Sequence, residues 1–157
     1  MIEYTDEKTP EELRALVGRA LPPLPDARPK DPRQISPLVL AYMGDTLYDL
    51  FVRTLLLRQS DETAHGMHLL AAARVCAKAQ AEAAFKIMDQ LSEDELAIYK
   101  RGRNAHMGTV PKNARIADYR AATGLEALLG YLYLCGQDER LFSLLRQIFQ
   151  GEPLCQE

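Results

Sequence analysis

The chain predicts an all-α fold, and three observations carry that reading. Apolar residues recur at helical spacing along most of its length, helix-capping residues punctuate them, and the period-two alternation of strands is nearly absent. The 157 residues, 47% apolar and 26% charged, are enough for one domain with a substantial core and too hydrophobic for a disordered chain.

The elements follow in order. Pro10 to Leu21 forms a short helix, and "PPLPDARPKDP" after it is a linker, because proline fixes its backbone outside the helical pattern. Residues 1–30 are thus an N-terminal helix and linker, 31–150 the globular domain, and 151–157 a short tail. Ser36 as N-cap and Pro37 at the first helical position open a helix that runs to about Arg58. Its apolar residues point in nearly every direction, which predicts a helix buried on most sides. From Asp61 to Leu91 the pattern is alanine-rich and helical, with a break near Arg74 to Ala77. Ser92 and Glu95 make a capping box that opens a short helix toward Lys100. "RGRNAHMGTVPKNARI" is a turn-rich loop, and two more helices cover about Asp118 to Leu134 and Asp138 to Phe149. With no internal repeat, the total is about six to seven helices.

The acidic N-terminus lacks the apolar core of a signal peptide, and no stretch reaches eighteen uninterrupted apolar residues. A cytoplasmic protein without a membrane span is expected. Cys76, Cys135 and Cys155 show no paired spacing and read as reduced thiols. The net charge of −3 argues against nucleic acid, but its distribution argues for it. Tyr99 to Arg120 carries six basic residues and one acid, a net of +5, which leaves −8 on the rest of the chain.

Two acids interrupt the most apolar helices. Asp45, after Gly44, sits within "SPLVLAYMGDTLYDLFVR", and Glu126, between Gly124 and Gly130, sits within "TGLEALLGYLYL". A helix-interior glycine costs about 1 kcal/mol relative to alanine, and close approach of a second helix is one compensation. The alternative is a helix break at Gly44 with Asp45 capping a second helix. If the two helices cross, Asp45 and Glu126 can share a cation; Mg²⁺ is commonly held by one or two carboxylates. Such a pair suits phosphodiester hydrolysis by activated water. No protein nucleophile is evident: Ser36, Ser60, Ser92 and Ser143 lack a His/Asp partner. His65 and His68 are spaced for one helix face but have no third ligand nearby.

"SPLVLAYMGDTLYDLFVR", "RGRNAHMGTVPKN" and "YRAATGLEALLGYLYL" together resemble the Mini-ribonuclease III family, over roughly Asp31 to Phe149. The resemblance implies an all-helical ribonuclease III-like catalytic domain, a homodimer in which each subunit cuts one strand of an RNA duplex, and Mg²⁺ dependence. It also implies maturation of large-subunit ribosomal RNA precursor ends, with a ribosomal protein or pre-ribosomal particle as a further partner. Asp45 matches the aspartate of the family's G-D signature and Glu126 the glutamate of its E-A-L-x-G motif. Ala41 and Thr123 stand where the larger ribonuclease III enzymes carry two more acids, which leaves the number of metals open. Asp49, one turn beyond Asp45, is a candidate for assisting the metal or for a surface acid near the dimer interface. His68 stands where the family often has histidine.

Double-stranded RNA is read mainly through phosphates, 2′-hydroxyls and A-form shape. Arg101, Arg103 and Lys112 are expected to supply phosphate-directed charge, and Asn104 and Asn113 hydrogen-bonding amides. Stacking on single strands is less favoured, because the loop holds no aromatic residue. The same fold with a thinned carboxylate cluster also suits a noncatalytic RNA-binding, ribosome-assembly module.

Overall fold

The structure, a computed structural model, describes residues 31–106, 108–109, 112–113 and 115–151. The expected N-terminal helix, the linker and Cys155 lie outside the described residues. Among those described there are six α-helices and no strand: α1 (Pro37–Gln59), α2 (Ala64–Val75), α3 (Ala77–Ile87), α4 (Glu93–Arg103), α5 (Ile116–Leu134) and α6 (Asp138–Phe149).

Local chemistry sets most of the boundaries. Asp31 caps a short 3-10 turn, Pro32–Gln34, that leads into α1. Ser36 occupies the N-cap of α1 but makes no side-chain cap bond; Pro37 at the first position lacks an N–H and so leaves one unpaired donor fewer in the first turn. The break expected near Arg74 to Ala77 falls at Cys76, whose backbone is extended. Ser92 and Glu95 form both bonds of the capping box at the start of α4. That helix runs three residues beyond Lys100, so Arg101 and Arg103 belong to its last turn and not to the loop. Cations favour a helix C-terminus, where they face the negative end of its dipole. Helix α5 ends in a Schellman motif: Gln137 N–H donates to Leu132 O and Gly136 N–H to Tyr133 O, with Gly136 at φ +70°.

Helix α5 is the axis of the domain, packed against α1, α3, α4 and α6. Its Leu125, Leu128, Leu129 and Leu132 are buried with Val52 and Leu56 of α1. Leu141, Leu144, Leu145 and Ile148 of α6, spaced at i, i+3, i+4 and i+7, close the same core. Each such aliphatic side chain contributes about 1.5–3 kcal/mol by its burial. Phe51 and Phe142 pack edge to face at 5.0 Å where α1 meets α6, and the Lys86 ammonium on α3 donates to Ile148 O in the last turn of α6 at 2.9 Å.

One contact sets the geometry of the rest. A Cβ placed on Gly44 would lie 1.7 Å from Glu126 O, and one on Gly130 would lie 2.0 Å from Leu40 O. Helices α1 and α5 therefore cross backbone to backbone, and only glycine fits on either side. Helix α1 runs unbroken through Gly44, which removes the reading of Asp45 as the cap of a second helix.

The expectation that α1 is buried on most sides is corrected. Leu40, Ala41, Gly44, Tyr48, Val52 and Leu56 form its buried stripe, while Val39, Tyr42, Leu50 and Leu57 are exposed, Tyr42 at 75%. An apolar helix reads alike on all sides in sequence, but α5 and its neighbours reach only the inner one. Asp45 lies at the edge of the buried stripe and is exposed.

Gly44→Ala and Gly130→Ala should each destabilise the fold by more than about 3 kcal/mol, because backbone rather than a flexible side chain blocks the added methyl. Gly136→Ala, with open space around its Cβ position, should cost only about 1 kcal/mol from its positive φ. Chemical denaturation of the three variants measures the difference.

Candidate active site

The backbone crossing places Glu126 beside the turn of α1 that carries Asp45. The two carboxyl groups stand close enough to influence each other's charge. Burial pushes Glu126 up to about 7, and the neighbouring Asp45 charge pushes in the same direction against the opposing Gln80 hydrogen bond. An exposed acid and a half-buried one thus face each other across the crossing.

Both line a cavity of about 460 Å³. Ala41 and Thr123 line it too, so the positions where larger ribonuclease III enzymes carry additional acids do face the site and hold no charge here. The Thr123 hydroxyl donates to Tyr119 O at 3.0 Å. Tyr42 and Tyr119 lie along the wall, and Gly108 and Thr109 bring the loop after α4 to it.

A residue that sequence reading passed over completes the site. Gln80 on α3 is 2% exposed, and its Nε2 donates to Glu126 Oε1 and to Val75 O, each at 3.0 Å. Its Oε1 is buried without a hydrogen-bond partner, an arrangement that ordinarily costs roughly 1–3 kcal/mol. The available signal was one amide among alanines in "AKAQAEAAF", on the helix face that the alanines mark as buried.

Asp49 is not brought to the cavity. Its Oδ2 accepts from Arg53 Nε at 2.8 Å, one turn further along α1. His65 and His68 are exposed on α2, and no group of three or more His, Cys, Asp or Glu side chains able to hold a metal occurs among the described residues. Asp45 and Glu126 are nonetheless a donor set that suits a hard divalent cation, which prefers carboxylate and water oxygens. A cation there would also offset the burial and the neighbouring Asp45 charge that raise Glu126.

The basic residues divide by what they touch. The Arg101 guanidinium donates to Arg33 O at 3.0 Å and Ile35 O at 3.2 Å, bracing the segment that leads into α1. Arg103 is exposed, and its Nε donates to Asn104 Oδ1 at 3.2 Å. Lys112 and Asn113 are exposed in a turn. No helix among the described residues is long and apolar enough to cross a membrane.

An all-α domain with two carboxylates facing across a helix crossing, beside a basic loop, is the arrangement of a ribonuclease III-type endoribonuclease. The model of the Ribonuclease III domain matches residues 38–137. Within that class, the chain belongs to the Mini-ribonuclease III family. It is 49% identical to Mini-ribonuclease 3 of Thermoanaerobacter sp. (strain X514) over 71% of this chain and 78% of the relative. The Mini-ribonuclease 3 of Brevibacillus brevis is 46% identical over 76% and 90%. A crystal structure of a Fusobacterium nucleatum protein, 32% identical, superposes with a TM-score of 0.72 over 79% of this chain and 99% of that one.

The raised Glu126 has a sign that can be tested in metal-free protein. The folded state keeps its proton up to about 7, and the unfolded chain releases it near the ordinary value of 4.5. The folded state therefore binds more protons across that window, and stability should fall as pH rises from about 4.5 to 7. Thermal melts in chelator should show this component in the wild type and not in Glu126→Gln.

Proposed function

We propose that the chain is a Mg²⁺-dependent endoribonuclease that cleaves double-stranded RNA to 5′-phosphate and 3′-hydroxyl ends. We infer that its task is maturing the ends of large-subunit ribosomal RNA precursors, in the cytoplasm, on a pre-ribosomal particle or with a ribosomal protein. The observation that carries this reading is the pairing of Asp45 with Glu126 at the lip of a cavity. These two residues would hold the cation, whose chemistry is to polarise a phosphate and lower the pKa of water. Glu126 must lose its proton to serve, so the protein favours the loaded form increasingly as pH rises toward and past about 7. Asp49, paired with Arg53 away from the cavity, is left out of the proposed metal set.

Arg103, Lys112, Asn104 and Asn113 are assigned to the RNA backbone, and all four are exposed. Arg101 contributes by holding the segment before α1 in place as well as by charge. The exposed apolar sector of α1, with Val39, Tyr42, Leu50 and Leu57, supports a homodimer that buries it. Such a dimer would set two cavities for the two strands of one duplex, because Tyr42 belongs both to the sector and to the cavity wall.

Asp45→Asn and Glu126→Gln should each lower cleavage of an RNA duplex in Mg²⁺ by at least about 100-fold while duplex binding is retained. A wild type that binds several duplexes, precursor ribosomal stems included, and never cuts them would support a noncatalytic module instead. Arg103→Ala and Lys112→Ala should weaken binding of all duplexes alike and each reduce the slope of log affinity against log salt by about 1. Sedimentation equilibrium of Tyr42→Glu should show a shift from dimer to monomer.

A further inference from the structure

The Gln80 amide is oriented without ambiguity. Its nitrogen faces Val75 O, which can only accept, as well as Glu126 Oε1, so the group cannot be turned over without losing the backbone bond. The amide ties three elements together: the last turn of α2, the first turn of α3 and the carboxylate on α5. It also leaves an acceptor unused. Gln80 lines the cavity with Asp45 and Glu126, and its buried Oε1 has no donor from the protein.

A purely structural glutamine explains only half of this. Capping Val75 O needs one N–H, but the second N–H is spent on the Glu126 carboxylate in the cavity wall. With Oε1 of Glu126 engaged by Gln80, Oε2 is the oxygen left to point at Asp45 and a shared ligand.

We propose that Gln80 is the positioning residue of the metal site, fixing Glu126 for a divalent cation. The assignment rests on the Asp45 and Glu126 metal reading. It also accounts for a site built from few charges: where a third or fourth carboxylate is lacking, a neutral amide holds the remaining one in register without adding repulsion. Partners of this kind typically govern metal affinity by about 10–100-fold.

The test uses Mn²⁺ as the probe, with binding followed by calorimetry and by the loss of free-ion electron paramagnetic resonance signal. Gln80→Leu keeps the volume and removes the amide; Gln80→Asn keeps the amide and withdraws it by one methylene. Circular dichroism and thermal melts establish folding, and if the leucine variant fails to fold the asparagine variant decides. Both folded variants should bind Mn²⁺ at least about 10-fold more weakly than the wild type. Their kcat on an RNA duplex in Mg²⁺ should fall with KM changed less than twofold. A folded variant with wild-type Mn²⁺ affinity overturns the role of Gln80 alone. A wild type with no saturable Mn²⁺ binding that Asp45→Asn abolishes overturns the metal reading and this inference with it.

Discussion

The contact of α1 with α5, backbone against backbone at Gly44 and Gly130, is the constraint on which the rest of the domain depends. It fixes how deep the two most apolar helices can nest, and hence how the leucines of α5 meet Val52 and Leu56 on α1. It also fixes the site, since the carbonyl that Gly44 approaches is that of Glu126 itself. A protein that must bring two acids together inside an apolar crossing has little choice but glycine. Any larger residue would separate the helices and the carboxylates together.

Electrostatics then makes the pair unequal. Asp45 stands at the solvent edge of α1, while Glu126 is half-buried and held by Gln80, and burial raises its affinity for a proton. Two acids in contact repel, and in the bare protein a proton on Glu126 is the cheapest relief. A cation offers the same relief with more charge. Gln80 lies in the same cavity wall as the pair.

The surface outside the cavity follows a division of labour. The last turn of α4 concentrates positive charge where its own dipole welcomes it, but Arg101 uses its fork on two carbonyls of the segment before α1. Arg103 and Lys112 remain exposed on the surface. The outer face of α1 is apolar and exposed next to the cavity, with Tyr42 belonging to both.

Much of the fold was legible in the sequence because helix ends are written in local chemistry. The capping box at Ser92 and Glu95, Pro37 after Ser36 and the Gly136 punctuation depend on residues a few positions apart, and the structure forms the helices there. The anomaly of glycine and acid within apolar helices was equally local, and it pointed to Asp45, Glu126 and a close crossing. Burial was not legible: α1 is apolar all round, and only the position of α5 decides that Tyr42 faces outward while Tyr48 faces the core. Nor was Gln80, whose partners lie five residues back and 46 residues ahead. Arg101 looked like any other cation in a basic stretch, and Asp49 shared a helix face with Asp45 until Arg53 claimed it. The sequence by itself determined which groups can carry charge and where helices begin and end, because those are short-range properties. Only the tertiary structure decided which charges meet, because that depends on distances the chain acquires when its helices pack.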